Sequence, residues 1–195
     1  MNKKTDHRVM VTHTLLKDAL ALILEEKNLA DVTIKELCLK AGINRSTFYS
    51  NFSNIHDLIE AMEEDVFGAL GSILSRVTQD PGYIREQVFT DLFSIAKTHH
   101  RMFGFLLIDN IDPGFVEKLF KMGEHAFEDI SRVLKRQHTK SFMRYVYTAV
   151  LNSVIAIIRR WISSGMREPI DEIADMTRLI VNRGVDAVFV RTHQT

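Results

Sequence analysis

Apolar residues recur at helical spacing through most of this chain, and the places where the recurrence breaks divide it. Val11, Leu15, Ala19, Leu22 and Ile23 share one side of a helix predicted over Asp6 to Lys27. Lys27-Asn28 ends it, because asparagine tolerates a left-handed cap, and Leu29 to Val32 link to the next helix. There Ile34, Leu37, Cys38 and Ala41 fall at i, i+3, i+4 and i+7, a single apolar stripe. Thr33 stands where an N-cap belongs and Glu36 follows three residues on, the spacing of a capping box. Gly42 comes after the last apolar position, where a helix stop needs a left-handed backbone. Ile43 plugs the corner, Asn44 caps a further short helix, and Phe48 and Phe52 point back inward four residues apart. From Asn54 a long helix runs to about Gln79, with Ile55, Leu58, Ile59, Met62, Val66, Ala69, Leu70 and Ile73 on its inner face.

The second part of the chain is punctuated by proline and glycine. Asp80-Pro81-Gly82 breaks it, a helix follows over Tyr83 to His100, and a shorter one over Arg101 to Ile111. Asp112-Pro113-Gly114 breaks it again before helices over Phe115 to Gln137 and Ser141 to Ser164. Gly165 stops the latter, and Glu168-Pro169 opens a last helix to about Val190, with proline in its first turn. That makes about nine helices, and alternating strand patterns bounded by turn residues are absent. The expected class is all-α: an N-terminal three-helix helix-turn-helix domain followed by a helical C-terminal ligand and dimerisation domain. The boundaries expected are 1–53 and 54–195, with 54–79 as the linking helix.

The last two long helices predict self-association. Around Val150 to Ile158 apolar residues cover every side, a pattern that demands burial all round. The final helix adds Ile173, Ala174, Thr177, Ile180, Val181, Gly184 and Val188 on one stripe. A homodimer through a four-helix bundle follows, with Val150, Val154, Ile157, Trp161, Ile173, Thr177, Ile180, Val181, Gly184 and Val188 at the interface.

Chemistry enters with the side chains left outside in the stretch Thr33 to Phe52. These are Arg45, Ser46, Thr47, Tyr49, Ser50 and Asn51. Arginine forks onto O6 and N7 of guanine, the threonine methyl packs on thymine, and Ser, Tyr and Asn bond phosphates or base edges. A merely solvated helix face would carry Glu and Lys, which form helix better than the Asn, Arg, Ser and Thr found here. The stretch therefore points at double-stranded DNA.

On these residues the run from Thr14 to about Glu64 resembles the DNA-binding domain of TetR-type transcriptional repressors. Their pattern TIxxLxxxAGxxxxTxYxxF is matched by Thr33, Ile34, Leu37, Ala41, Gly42, Thr47, Tyr49 and Phe52. The stretch Arg159 to Met176 is similar to the C-terminal region of a Firmicutes-type branch of that family. The resemblance implies a long fourth helix that transmits ligand binding to the DNA reader, a dimer, and a DNA-contacting set of Lys35, Asn44, Arg45, Ser46, Thr47, Tyr49, Ser50, Asn51 and Asn54. Three positions depart from the family pattern. Ile55 stands where many members carry a phosphate-binding lysine, Asn51 where histidine is frequent, and Cys38 where a small alanine is usual. With Ile55 in place, a phosphate contact would come from the helix N-terminus, with Ser53 or Asn54 as cap and His56 nearby.

Composition narrows the picture further. At 195 residues and 46% hydrophobic, the chain is long enough for a small domain and a medium one. A single cysteine excludes an internal disulfide, and the polar start MNKKTDHR lacks an apolar signal core, so a cytoplasmic protein is expected. The run Val150 to Ile158 is interrupted by Asn152 and Ser153 and is too short to span a bilayer, which argues against a membrane role. Formal net charge is zero, and residues 1–53 hold eight basic side chains against six acidic ones. Non-specific DNA affinity should be modest, since it scales with the phosphates neutralised. Lys3, Lys4 and Arg8 could touch a neighbouring phosphate or simply form a solvated terminus.

Large soft side chains crowd the middle helices. Phe67, Phe89, Phe93, Phe103, Phe127 and Tyr147 are candidates to line a pocket for a small apolar or amphipathic effector, although an ordinary core accounts for each of them as well. Polar handles would come from His99, His100, Asn110, His125 and Asn152. Catalysis is not expected: Glu-x-x-His pairs, CxxC, HExxH, P-loop and GxSxG are all absent, and no metal or cofactor is called for. The expected function is a DNA-binding transcriptional regulator, a repressor that binds a near-palindromic operator as a homodimer and is released by an effector. The alternative is a helical co-regulator that acts through a protein partner with little DNA binding of its own.

Overall fold

A computed structural model describes residues 3–80, 82–108, 113–133 and 139–191, and among them all regular structure is helical. The helices are α1 (Lys3–Leu24), α2 (Ile34–Ala41), α3 (Arg45–Tyr49), α4 (Ile55–Gln79), α5 (Tyr83–Glu86), α6 (Val88–Thr98), α7 (His100–Phe103), α8 (Pro113–Val133), α9 (Lys140–Ser163) and α10 (Ile170–Arg191). The helix expected over Tyr83 to His100 is interrupted at Gln87 and so appears as α5 and α6. The ends expected at Ile111 and Gln137 lie outside the described residues. Two compact units divide inside α4: the first runs to Asp65 and the second starts at Val66.

The first unit is a head of α1, α2, α3 and the opening turns of α4. Its core is Leu16, Ala19, Leu20, Ile23, Leu37, Cys38, Ala41, Phe48, Phe52, Leu58, Ile59 and Met62. The inward face of α1 differs from the expected one: Val11 and Leu15 stay 41% and 43% exposed, while Leu16 and Leu20 are fully buried. The sequence holds two overlapping stripes that share Ala19 and Ile23, and one residue of register turns a helix by about 100°. α1 also stops at Leu24, three residues early, and a 3₁₀ turn over Leu29–Asp31 leads to α2. Ion pairs fasten the head. Lys17 bonds Asp65 at 2.6 Å and the Ala61 carbonyl at 2.9 Å, Lys27 pairs with Glu36, and Lys40 lies 3.9 Å from Glu26.

In the second unit α10 packs on α6 and α9, and α8 packs on α9. Phe93 meets Trp161 edge-on at 5.4 Å, and the indole N–H donates to the Glu168 carbonyl at 3.0 Å, fixing the turn between α9 and α10. That turn carries Gly165 at φ 82 and Met166 at φ 54, both left-handed. Phe115 lies against Phe67 and Phe103. Near the end of α4, Asp91 accepts from the Tyr83 hydroxyl and from Arg76, whose guanidinium lies over the Tyr83 ring. Burial, with the Asp91 carboxylate beside it, pushes the Tyr83 phenol up to about 12. Between α8 and α9, Tyr147 donates to the Phe120 carbonyl at 2.8 Å. A Cβ on Gly123 would come within 2.4 Å of that hydroxyl, so glycine is what lets the ring approach α8.

The expectation that Val150 to Ile158 is buried all round is not met. Val154, Ile155 and Ile158 are buried, Val150, Leu151 and Ile157 are half-buried, and Asn152, Ser153 and Ala156 are exposed. α9 is long and apolar enough, by length and composition, to cross a membrane. Its inward residues Met143, Val146, Val154, Ile155, Ile158 and Trp161 instead pack within the helical unit.

Candidate nucleic-acid interface

The helix-turn-helix is assembled from local rules. Thr33, in extended backbone, accepts the Glu36 N–H at 3.3 Å and starts α2. Glu36 turns its carboxylate to the Lys27 ammonium, so the reciprocal half of the expected capping box gives way to an ion pair with the turn that follows α1. At the other end Gly42 adopts φ 68, ψ 29, and the Ile43 N–H returns to the Cys38 carbonyl at 3.0 Å, closing a left-handed stop. Cys38 is buried beneath, and burial pushes its thiol up, as suits a small hydrophobe.

α3 spans Arg45–Tyr49 and hangs on Phe48, which is fully buried, with Phe52 just beyond it at 6% exposure. His13 of α1 stacks on Phe52 at 4.6 Å. This anchoring leaves Arg45, Ser46, Tyr49 and Ser50 exposed and Thr47 half-buried. Asn44 occupies the N-cap position with extended backbone but makes no side-chain capping bond, contrary to expectation, so its carboxamide is free of the helix it precedes. Ser50 and Asn51 both donate to the Thr47 carbonyl at 2.8 Å, which ties their polar atoms to the end of α3. Lys35 projects from the exposed face of α2.

At the start of α4 the expected cap forms: Asn54 accepts the Asp57 N–H at 3.0 Å. Asp57 answers with its carboxylate, taking the Ser53 N–H at 2.9 Å and the Asn54 side-chain amide at 2.8 Å. The Ser53 bond holds the Asp57 carboxyl below its ordinary value. Sequence reasoning passed over Asp57, although Asn54 and Asp57 stand three apart and so carry the capping-box spacing that identified Thr33.

The remaining candidates distribute unevenly. Phe89, Phe93 and Phe103 are buried core, while Phe67, Phe127 and Tyr147 are half-buried, Phe127 and Tyr147 in ring contact at 5.1 Å. Phe127 belongs to a small cluster around Met143 and Val146. His99 and His100 are half-buried, and Asn152 is exposed and bonds the Thr148 carbonyl. Asn110 and the side chain of His125 lie outside the described residues. Of the expected dimer face, Val154, Trp161, Thr177 and Val181 belong instead to the chain's own core; Thr177 is fully buried and donates to the Ile173 carbonyl. Val150, Ile157 and Ile173 are half-buried, and Ile180, Gly184 and Val188 are exposed. Val154, Trp161, Thr177 and Val181 are withdrawn from a partner because the faces of α9 and α10 that pack within the unit cannot also face outward. Among the described residues no group of three or more His, Cys, Asp or Glu side chains is placed to hold a metal.

Residues 15–62 match the model for bacterial regulatory proteins of the tetR family, and residues 85–183 match a transcriptional regulator C-terminal region. The chain belongs to the TetR family. It is a DNA-binding transcriptional regulator of a non-enzymatic family, and α2 and α3 are its helix-turn-helix. A stretch of 61 residues is 36% identical to an uncharacterized HTH-type transcriptional regulator, YxbF, of Bacillus subtilis, covering 31% of this chain and 16% of that relative's length. Among solved TetR-like structures, the fatty acid degradation regulator FadR from Bacillus halodurans superposes with a TM-score of 0.69 at 10% identity, over 87% of this chain and 94% of that one. FadR from Bacillus subtilis, solved in complex with stearoyl-CoA, gives 0.64 at 11% identity over 86% and 96%. Likeness at such identity is a likeness of fold.

Proposed function

We propose that this TetR-family regulator is a cytoplasmic repressor that binds a near-palindromic operator as a homodimer, with the α3 helix of each subunit in a major groove. The observation that carries the reading is the exposed set Arg45, Ser46 and Tyr49 on a helix whose other side is locked by Phe48 and Phe52. A rigid mount with forked and hydroxyl donors outward is what reading base edges and phosphates requires. Asn44, with no cap to make, and Lys35 extend the contact set on either side.

Dimerisation is carried by the outward face of α10. Met176, Leu179, Ile180 and Val188 are 41%, 42%, 53% and 40% exposed, and Met176, Ile180, Gly184 and Val188 recur every fourth residue. This is an apolar stripe with glycine in its middle, and α9, which packs on α10, carries the small exposed residues Ala149, Ser153 and Ala156. A twofold partner presenting the same stripe would cover it, and two heads would then engage half-sites one or more helical turns apart.

The effector is a small apolar or amphipathic molecule taken up among the aromatic side chains of the second unit, Phe67, Phe103, Phe127 and Tyr147 among them. The stearoyl-CoA complex of the Bacillus subtilis FadR supports a long-chain acyl compound as a first candidate. α4 runs unbroken from Ile55 to Gln79, so a tilt imposed late in the helix would move its start and shift head spacing. A coupling of about 1–3 kcal/mol is enough to release an operator.

Arg45 provides the test. On duplexes enriched by the purified protein, Arg45→Ala should lose roughly 1–3 kcal/mol and flatten the preference at a single position of each half-site. Equal loss on every sequence would remove base reading from Arg45. Absence of binding to any duplex, by a folded protein, would turn the reading toward a co-regulator that acts through a protein partner.

A further inference from the structure

Resting on that reading of α3 as the DNA reader, we propose that Asp57 lowers the sequence-independent affinity of the head for DNA by keeping a negative charge at the start of α4, close to the recognition helix. α4 begins at Ile55, soon after α3 ends at Tyr49, and the Phe48 and Phe52 rings lie 6.0 Å apart, so the start of α4 stays close to the end of α3. A helix start ordinarily favours an anion, and beside a DNA reader the available anion is a backbone phosphate. Here that role is filled from within. The Asp57 carboxylate takes the Ser53 N–H and the Asn54 amide, and the Asp57 N–H is returned to Asn54.

Among the described residues no lysine or arginine pairs with this carboxylate. Position 55 is a half-buried isoleucine, and the exposed His56 faces the Glu60 carboxylate at 3.7 Å. Elsewhere in the head Lys17, Lys27 and Lys40 are engaged with Asp65, Glu36 and Glu26. Among the described residues of the head, the exposed cations with no such carboxylate partner are Lys35, Arg45 and Arg8; Arg45 opens the recognition helix and Lys35 lies on α2. Sequence-independent attraction to phosphate is therefore low, and what distinguishes one duplex from another is left to α3. Such a term acts on every duplex alike, so its effect is on overall affinity and its salt dependence, and the ratio of operator to random-sequence affinity is left to α3.

Asp57→Asn removes the charge and keeps part of the cap: the amide oxygen still accepts the Ser53 N–H, while its NH2 faces the Asn54 amide and that bond is lost. The full-length variant and the wild type are titrated with a selected operator and with a random duplex across a salt series, and the melting temperature of each protein is recorded. The expected result is a melting temperature between those of the wild type and Asp57→Ala, and random-duplex binding tighter by roughly three- to tenfold. The operator tightens by a similar factor, so discrimination is kept, and the salt dependence steepens. Asp57→Ala, which removes the cap as well, lowers the melting temperature. Unchanged affinity and salt slope in Asp57→Asn, or weaker binding to both duplexes, overturns the proposal while leaving α3 as the reader. If wild type and variant alike bind no duplex at low salt, the DNA-reading assignment of α3 fails first and this one falls with it.

Discussion

Single residues divide by how local their role is. Thr33, Gly42, Phe48 and Phe52 were legible in the sequence because each acts within four residues of itself: a cap, a left-handed stop, two inward rings one turn apart. Asn51 and Asp57 also bond within four residues and were overlooked, whereas Glu36 was hidden, because a partner beyond α1 decided it. Glu36 chose the Lys27 ammonium over the start of its own helix, and Asn51 bonded the Thr47 carbonyl where a phosphate contact was expected. Gly123 was invisible for the reason that hid Glu36, since only the fold brings Tyr147 against it. Gly123→Ala should displace the ring, break the Tyr147 to Phe120 bond and cost about 1–3 kcal/mol, read from chemical denaturation. The cost should shrink in a Tyr147→Phe background; an equal cost in both would place the strain elsewhere.

At the level of elements, helix existence and order followed from periodicity and from the Asp-Pro-Gly breaks, while faces did not always. α1 offered two stripes that share Ala19 and Ile23, and the choice between them depends on what α2 and α4 present, which a single helix does not encode. α9 read as apolar all round because alanine counts as apolar wherever it sits, yet Ala156 lies outside with Asn152 and Ser153. α10 carries two apolar faces. Ala174, Thr177 and Val181 are spent on the chain's own core, and Met176, Ile180 and Val188 remain outside. Ile180→Glu tests the outward face: at 53% exposure it should leave the monomer folded and yield half the native mass in sedimentation. A dimer that persists would assign dimerisation to another surface.

For the whole molecule, the two parts of the account meet in the count of heads on DNA. Near-neutral charge and internally paired lysines make one head a weak binder by attraction alone, so recognition has to come from hydrogen bonds made twice. The effector-linked domain was legible as helical and as a family resemblance, whereas the pocket candidates were not separable from core, since aromatic side chains fill both. The measurement that bears most directly on the account is selection of bound duplexes from a random DNA pool by the purified full-length protein, with the recovered sequences searched for symmetry. Two inverted half-sites, centred about one helical turn or a multiple apart, are the predicted result. A single unpaired motif, or no enriched motif from a folded protein at low salt, would contradict it.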